Sequence, residues 1–201
     1  MKTYSQVTLC NTNYIIYIRV IAKNICVKQN RTISKQLTTM TTSSTLANPA
    51  SKTRDLEWIK TALQSAVELE HATLPLYLSA MFSLEVQNYT TYNLIRSVVM
   101  EEMVHMAVAC NILTALGGKP NIKDISPKAP GKGLPGGAEP DIEIVFAKLS
   151  VPQVKNFMRL ESPIALLPEE FKDEKYPTIG SLYNSIKTAI EENAEEVTAT
   201  I

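Results

Sequence analysis

Residues 67–78 read VELEHATLPLYL and lie at the centre of a longer apolar repeat. Over residues 56–84, apolar side chains recur every three or four positions, which is the spacing of one buried helix face. Glu70 occupies a position that this face needs for an apolar side chain. Pro75 lacks the backbone donor that would bond one turn back, so we expect a bend beside it. The pattern therefore predicts a helix that carries a carboxylate inward.

A second helical pattern runs over residues 92–116, and two glycines, Gly117 and Gly118, predict its end. Glu102 and His105 fill two positions on the apolar face of this pattern. Their Glu-x-x-His spacing places both side chains on the same side of a helix. A second core face is therefore also interrupted by polar groups.

The sequence after residue 116 predicts one long connection and two more helices. Residues 117–150 are rich in Gly and Pro, with one short strand expected at 142–146. A short helix is expected over 151–161, with Glu161 on its apolar face, and a fourth pattern runs over 179–197. The sequence therefore predicts a mostly α-helical fold. We expect an antiparallel four-helix bundle with a long Gly/Pro-rich loop between the second and third helices.

Three inward glutamates and one inward histidine on successive helices indicate a shared metal ion: Glu70, Glu102, His105 and Glu161. A buried carboxylate is costly unless it is paired, hydrogen-bonded or bound to a metal. Glu-x-x-His is the element that di-iron and di-manganese carboxylate sites use in helical bundles. Two alternatives stay open. Glu101 is four residues before His105, so it could be the ligand in place of Glu102. Glu161 could instead cap a helix or form an ion pair.

Two further residues lie near these candidates, and we expect them to contact ligands or substrate: His71 and Tyr77. Glu68 and His71 repeat the Glu-x-x-His spacing, but both fall beside the apolar face. We expect Glu68 on the surface. The chain has 2 histidines, which are too few for two complete Glu-x-x-His ligand pairs.

The charges are unevenly distributed along the chain. Residues 1–54 contain 8 Lys and Arg and no acid, whereas residues 55–201 contain the other 12 basic residues and all 20 acids. Nucleic-acid binding needs basic side chains that neutralise phosphates, so we expect none from the acidic part. The 3 cysteines show no spacing typical of a zinc ribbon or a disulfide framework.

Residues 1–54 are interpreted as a basic, Ser/Thr-rich appendage, and residues 55–201 as the main domain. The apolar run over residues 14–27 is broken by charges and is shorter than the ~20 residues of a membrane span, so we expect no span. A packed arm, an organellar transit peptide and upstream sequence before a start at Met40 stay open. We expect a cytoplasmic protein, or an organellar one if the transit interpretation holds.

Five ordered stretches resemble the landmarks of one known family, the ferritin-like domain of the iminophenyl-pyruvate dimer synthase family. Its Leu-Glu-x-Ala-Thr-x-Pro-x-Tyr signature is similar to residues 67–78, and its second helix resembles residues 101–118. The remaining similar stretches are LPGG at 134–137, FMRLESP at 157–163 and PTIGSLY at 177–183.

The resemblance implies a ferritin-like bundle with Glu70, Glu102 and His105 at ligand positions. It implies a non-haem iron oxidoreductase that oxidises or couples an amino-acid-derived small molecule in natural-product biosynthesis. One or two iron ions are expected, with manganese as an alternative metal. The family domain continues into a segment with more acids and histidines, so a truncated copy stays open.

Two other functions also stay open from the sequence. The first is a non-catalytic or truncated helical protein that acts as a partner or structural subunit. The second is iron storage or detoxification. A homo-oligomer is compatible with each of them.

Overall fold

The structure is a computed structural model that describes residues 54–85, 89–127, 129–162 and 176–201. The expected appendage lies outside the described residues except for Arg54. The prediction of a mostly helical chain is confirmed. The described part contains these helices: α1 Leu56–Phe82, α2 Tyr89–Ala115, α3 Val151–Leu160, α4 Ile179–Glu192 and α5 Ala194–Thr200.

Helix α1 forms the centre of the core. It begins where the side chain of Asp55 accepts a hydrogen bond from the backbone N–H of Trp58 at 2.9 Å, which satisfies one of the free donors of the first turn. Its apolar face is almost fully buried along the helix. The helix is continuous through Pro75, and the bend expected there stays a prediction.

Helix α2 packs along α1 and runs in the opposite direction. Thr73 contacts Glu102, whereas Gln64, nearer the start of α1, contacts Asn121 just beyond the end of α2. Positions later in α1 therefore lie beside positions earlier in α2. This arrangement sets Glu70 of α1 level with the Glu-x-x-His element of α2.

Helix α2 is also long and apolar enough to cross a membrane by length and composition alone, with a mean hydropathy of 1.4 over its most apolar part. The core helix of a soluble protein passes the same test. In this structure 33% of that apolar part is buried.

The connection between α2 and α3 carries a two-stranded antiparallel ladder, β1 Gly131–Lys132 paired with β2 Glu143–Ile144. A short 3-10 turn, Pro135–Gly137, lies between the strands and packs against α1. Gly136 has a φ of 76°, and a Cβ at this position would lie 3.2 Å from the Cβ of Ser65. The loop can therefore approach α1 this closely because residue 136 has no side chain.

The fourth helical pattern forms two helices rather than one. Helix α4 begins at Thr178, whose hydroxyl accepts a hydrogen bond from the backbone N–H of Ser181, and it packs against α1. It ends at Asn193, whose side-chain amide donates to the carbonyls of Ala189 at 2.7 Å and Arg54 at 2.6 Å. The backbone of Asn193, with φ −109° and ψ 29°, departs from helical values, and the chain turns into α5 here.

Candidate metal centre

Three of the predicted ligands meet between α1 and α2: Glu70, Glu102 and His105 are 1%, 5% and 7% exposed. One ligand atom from each lies within 4.8 Å of the other two. The Nδ1 atom of His105 is 3.7 Å from Oε2 of Glu70 and 3.8 Å from Oε1 of Glu102. We call these three residues the Glu–Glu–His group.

In Glu70 and Glu102, the carboxylate oxygen that does not face His105 contacts a hydroxyl group. The phenol of Tyr183, on α4, donates a hydrogen bond to Oε1 of Glu70. The hydroxyl of Thr73 lies 2.7 Å from Oε2 of Glu102 and 2.8 Å from the backbone carbonyl oxygen of Glu70. Each carboxylate therefore presents one oxygen to a hydroxyl and the other to the imidazole of His105.

Neither hydroxyl was predicted as part of the site. Tyr183 lies on the apolar face of α4 and Thr73 lies in the first quoted stretch of α1. A tyrosine on a buried face usually needs a partner for its hydroxyl, and this was the available signal in the sequence. This signal indicates that the tyrosine hydroxyl needs an acceptor, but it does not indicate which residue supplies the acceptor.

Glu161, the fourth predicted ligand, lies beside the Glu–Glu–His group but is not part of it. It caps the C-terminus of α3 and is half-buried. The phenol of Tyr77 donates a hydrogen bond of 2.6 Å to its Oε1, and the ring of Tyr77 contacts Phe157 with centroids 4.6 Å apart. Tyr77 therefore links α1 to the end of α3 next to the site.

Helix α3 is also anchored by an ion pair. The Nε of Arg159 donates to Oε2 of Glu139 at 3.1 Å, and the Glu139 side chain is fully buried. The backbone N–H of Glu139 in turn bonds the carbonyl of Tyr176. Because Glu161 follows Arg159 by only two residues, this anchor holds the end of α3 against the core.

The remaining candidates lie outside the group. Glu101 is half-buried, so the structure places Glu102, rather than Glu101, beside His105. His71 is half-buried on α1. Glu68 is also half-buried and accepts a hydrogen bond from Gln64 at 3.1 Å. The second Glu-x-x-His spacing therefore does not contribute to the group.

The two buried carboxylates retain protons more strongly than ordinary glutamates. Burial raises the pKa of Glu70 to about 7, although hydrogen bonds from Glu102 and Tyr183 act in the opposite direction. Burial also raises the pKa of Glu102 well above its usual value, and the negative charges of Glu70 and Glu161 raise it further. Without a cation, the group therefore holds a proton at neutral pH.

The donor set suits a divalent metal. Within the described ranges, neither Glu70 nor Glu102 pairs with a Lys or Arg, and the basic side chain beside both is His105. Buried carboxylates without a full counter-charge are costly, and a metal ion would supply that charge. Two carboxylate oxygens and one imidazole nitrogen suit iron, manganese or zinc.

A model of the ferritin-like family matches residues 63–200, which include α1 from its second turn and all the later helices. The chain therefore belongs to the ferritin-like family. This superfamily includes di-iron proteins, and its members commonly bind iron. No curated protein and no solved structure matches the chain.

Proposed function

We propose that this protein is a non-haem iron oxidoreductase of the ferritin-like family. The observation that carries the proposal is the convergence of Glu70, Glu102 and His105, all buried and within 4.8 Å of one another. Folding brings these polar groups together inside an apolar core, where they are costly without a cation. A bound iron ion would stabilise the arrangement.

We also propose that α1 to α4 form the antiparallel four-helix bundle expected from the sequence. Helices α1 and α2 supply the Glu–Glu–His group, α4 supplies Tyr183 and the end of α3 supplies Glu161. Three helices thus contribute a polar group to one place in the core, and the residue that follows α3 lies beside it. This distribution is typical of the metal sites of helical bundles.

Bound iron would supply the redox chemistry, because it exchanges electrons with dioxygen and with an organic substrate. The protein has three tasks at this site. Glu70 and Glu102 release a proton so that their oxygens can bind the ion. Tyr183 and Thr73 orient the two carboxylates. The surrounding apolar side chains exclude bulk water, which strengthens the electrostatic interactions within the site.

The substrate class comes from the resemblance to the iminophenyl-pyruvate dimer synthase family. We propose a small molecule derived from an aromatic amino acid, most simply its 2-imino acid. Such a substrate is oxidised by loss of electrons, which iron can accept. The reaction belongs to the biosynthesis of a natural product.

Metal content tests the first part of this proposal. The full chain, expressed with iron and manganese supplied, is compared with the Glu102→Ala/His105→Ala double variant. The matched control is Glu68→Ala/His71→Ala, which removes the same residue types at the same spacing outside the group. We expect stoichiometric metal in the wild type and the control and none in the first variant. Equal metal loss in both variants, or a metal-free wild type, would refute the site.

Dioxygen consumption tests the second part. Iron-loaded protein should consume dioxygen faster when an aromatic 2-imino acid is added, and the Glu102→Ala/His105→Ala variant should not respond. Consumption that depends only on added ferrous iron would indicate storage or detoxification. No consumption under either condition would indicate a non-catalytic helical protein.

A further inference from the structure

We propose that one end of the molecule, where α1 ends and where α2 and α3 begin, binds to an anionic lipid surface. The contact surface consists of exposed apolar side chains with basic side chains around them. We call it the aromatic end and define it by Phe82, Tyr89, Phe146 and Val151. The inference goes beyond the proposed function, because it concerns where the protein is held rather than which reaction it performs.

Helices α1 and α2 bring two aromatic side chains to this end. The helices are antiparallel, and Thr73 of α1 contacts Glu102 of α2. Phe82, the last residue of α1, follows Thr73 by nine residues and is therefore level with the position nine residues before Glu102. Tyr89, the first residue of α2, lies about 6 Å beyond that level along the helix axis. The two residues are 72% and 67% exposed.

The start of α3 is held at the same end by a hydrogen bond. The backbone N–H of Leu149 donates to the hydroxyl of Ser83, the residue after α1, at 2.8 Å. Phe146 precedes Leu149 by three residues and Val151 follows it by two, and they are 42% and 72% exposed. Three separate segments of the chain therefore place exposed apolar side chains at one end.

The exposed apolar area is as large as that of a functional patch. Three aromatic side chains of about 200 Å² each, exposed by the fractions given above, present about 360 Å². Val151 adds to this area, and the exposed Val154 and Met158 continue the same face of α3. The largest apolar patch on a typical monomer covers about 300–600 Å² and is often a binding site. The area therefore indicates a contact surface.

Basic side chains surround the aromatic end. Lys148 and Lys155 are exposed in residues 144–158, a segment that contains no acid. Arg96 is exposed on α2, where residues 89–100 contain no acid either. Glu85, close to the end of α1, is an exposed acid. Residues 55–201 as a whole contain 12 basic residues against 20 acids, so the charge of this end is opposite in sign to that of the domain.

An anionic lipid surface fits this combination of side chains. Apolar side chains enter the boundary between head groups and acyl chains, and basic side chains attract the anionic lipids. Tyrosine is one of the residues enriched at this boundary. A second copy of the chain fits less well. Pairing of two identical ends would bring Lys148 and Lys155 of one copy close to those of the other, and like charges at an interface repel.

The test is co-sedimentation of the full chain with vesicles of phosphatidylcholine, alone or mixed with an equal amount of phosphatidylserine. We expect stronger binding to the anionic vesicles, and added salt should weaken it. Lys148→Gln/Lys155→Gln should weaken binding about 30-fold, because each basic side chain near such a surface contributes about fivefold. Phe82→Ser/Phe146→Ser should weaken it about tenfold or more through the lost apolar contact.

Two controls locate the contact. Lys119→Gln/Lys123→Gln makes the same charge change beyond the other end of α2, where both lysines are exposed, and it should bind like the wild type. Lipids with brominated acyl chains should quench the added fluorescence of a Phe146→Trp variant. They should not quench Trp58, which lies in the first turn of α1 at the opposite end. Circular dichroism checks the folding of every variant.

Three results would overturn the inference. The first is equal or absent binding to the two kinds of vesicle. The second is binding that the folded Lys148→Gln/Lys155→Gln and Phe82→Ser/Phe146→Ser variants retain, which would place the lipid contact elsewhere, such as in the basic residues 1–54. The third is a dimer in light scattering that Phe82→Ser/Phe146→Ser abolishes without any vesicle binding, which would assign the aromatic end to a second copy. Each measurement is made on metal-free protein, so these failures would leave the proposed function unaffected.

Discussion

Replacing Glu70 with Gln should stabilise the metal-free protein, and the gain should appear only as the pH rises. The pKa of Glu70 is about 7 in the folded protein, compared with 4.5 as its ordinary value. Between these values the folded protein holds a proton that the unfolded chain has released. The free energy of unfolding therefore falls as the pH rises through this window, and it changes no further above the folded pKa.

The magnitude follows from the same two values. Each unit of pKa difference corresponds to about 1.4 kcal/mol, so the wild type should lose about 3 kcal/mol of stability through Glu70 across the window. Gln occupies nearly the same volume and cannot titrate. The difference in unfolding free energy between Glu70→Gln and wild type should therefore grow from near zero at low pH to this value.

The assay is urea denaturation of chelator-treated protein, followed by circular dichroism at several pH values from about 4 to about 8, which covers the whole window. Other groups also titrate in this range, so only the difference between variant and wild type is interpreted. Glu68→Gln is the control, because it removes a carboxylate from the same helix outside the group. A difference between Glu70→Gln and wild type that is the same at both ends of the range would refute the argument.

Three other outcomes are expected. Free Fe²⁺ or Mn²⁺ at 100 times the dissociation constant should stabilise the wild type by about 2.7 kcal/mol and should not stabilise the Glu102→Ala/His105→Ala variant. Equal increases in the melting temperature of the two proteins, measured by differential scanning fluorimetry, would contradict this. Gly136→Ala should destabilise the protein by about 1–3 kcal/mol more than Gly137→Ala. Both glycines have a positive φ, but of the two only Gly136 has neighbours that an added Cβ would meet closely. Equal losses of stability in urea melts would show that the close approach of residue 136 to its neighbours is unimportant. Glu139→Ala should cost about 3 kcal/mol in the same melts by removing the buried partner of an arginine; a loss below about 1 kcal/mol, the range of surface pairs, would show that the pair does not anchor α3.

The helices and the Glu-x-x-His element could be predicted from the sequence because both depend on local spacing. Apolar residues three and four apart share one helix face wherever the helix packs, so α1 and α2 were found within a few residues of their observed ends. The same rule placed Glu102 and His105 on one face, and it placed Glu70 inward on α1. The later patterns also predicted helices, although the break at Asn193 involves a bond to Arg54, which the pattern does not include.

Contacts between distant parts of the chain were decided only by the tertiary structure. Tyr183 reaches Glu70 across 113 residues, and Tyr77 reaches Glu161 across 84. Periodicity indicates that a polar side chain faces inward, but it contains no information on how far one helix is shifted or rotated against another. That shift determines which hydroxyl meets which carboxylate oxygen. The sequence by itself therefore determined the helices and the residue types of the candidate site, whereas helix packing decided which hydroxyl contacts which carboxylate oxygen.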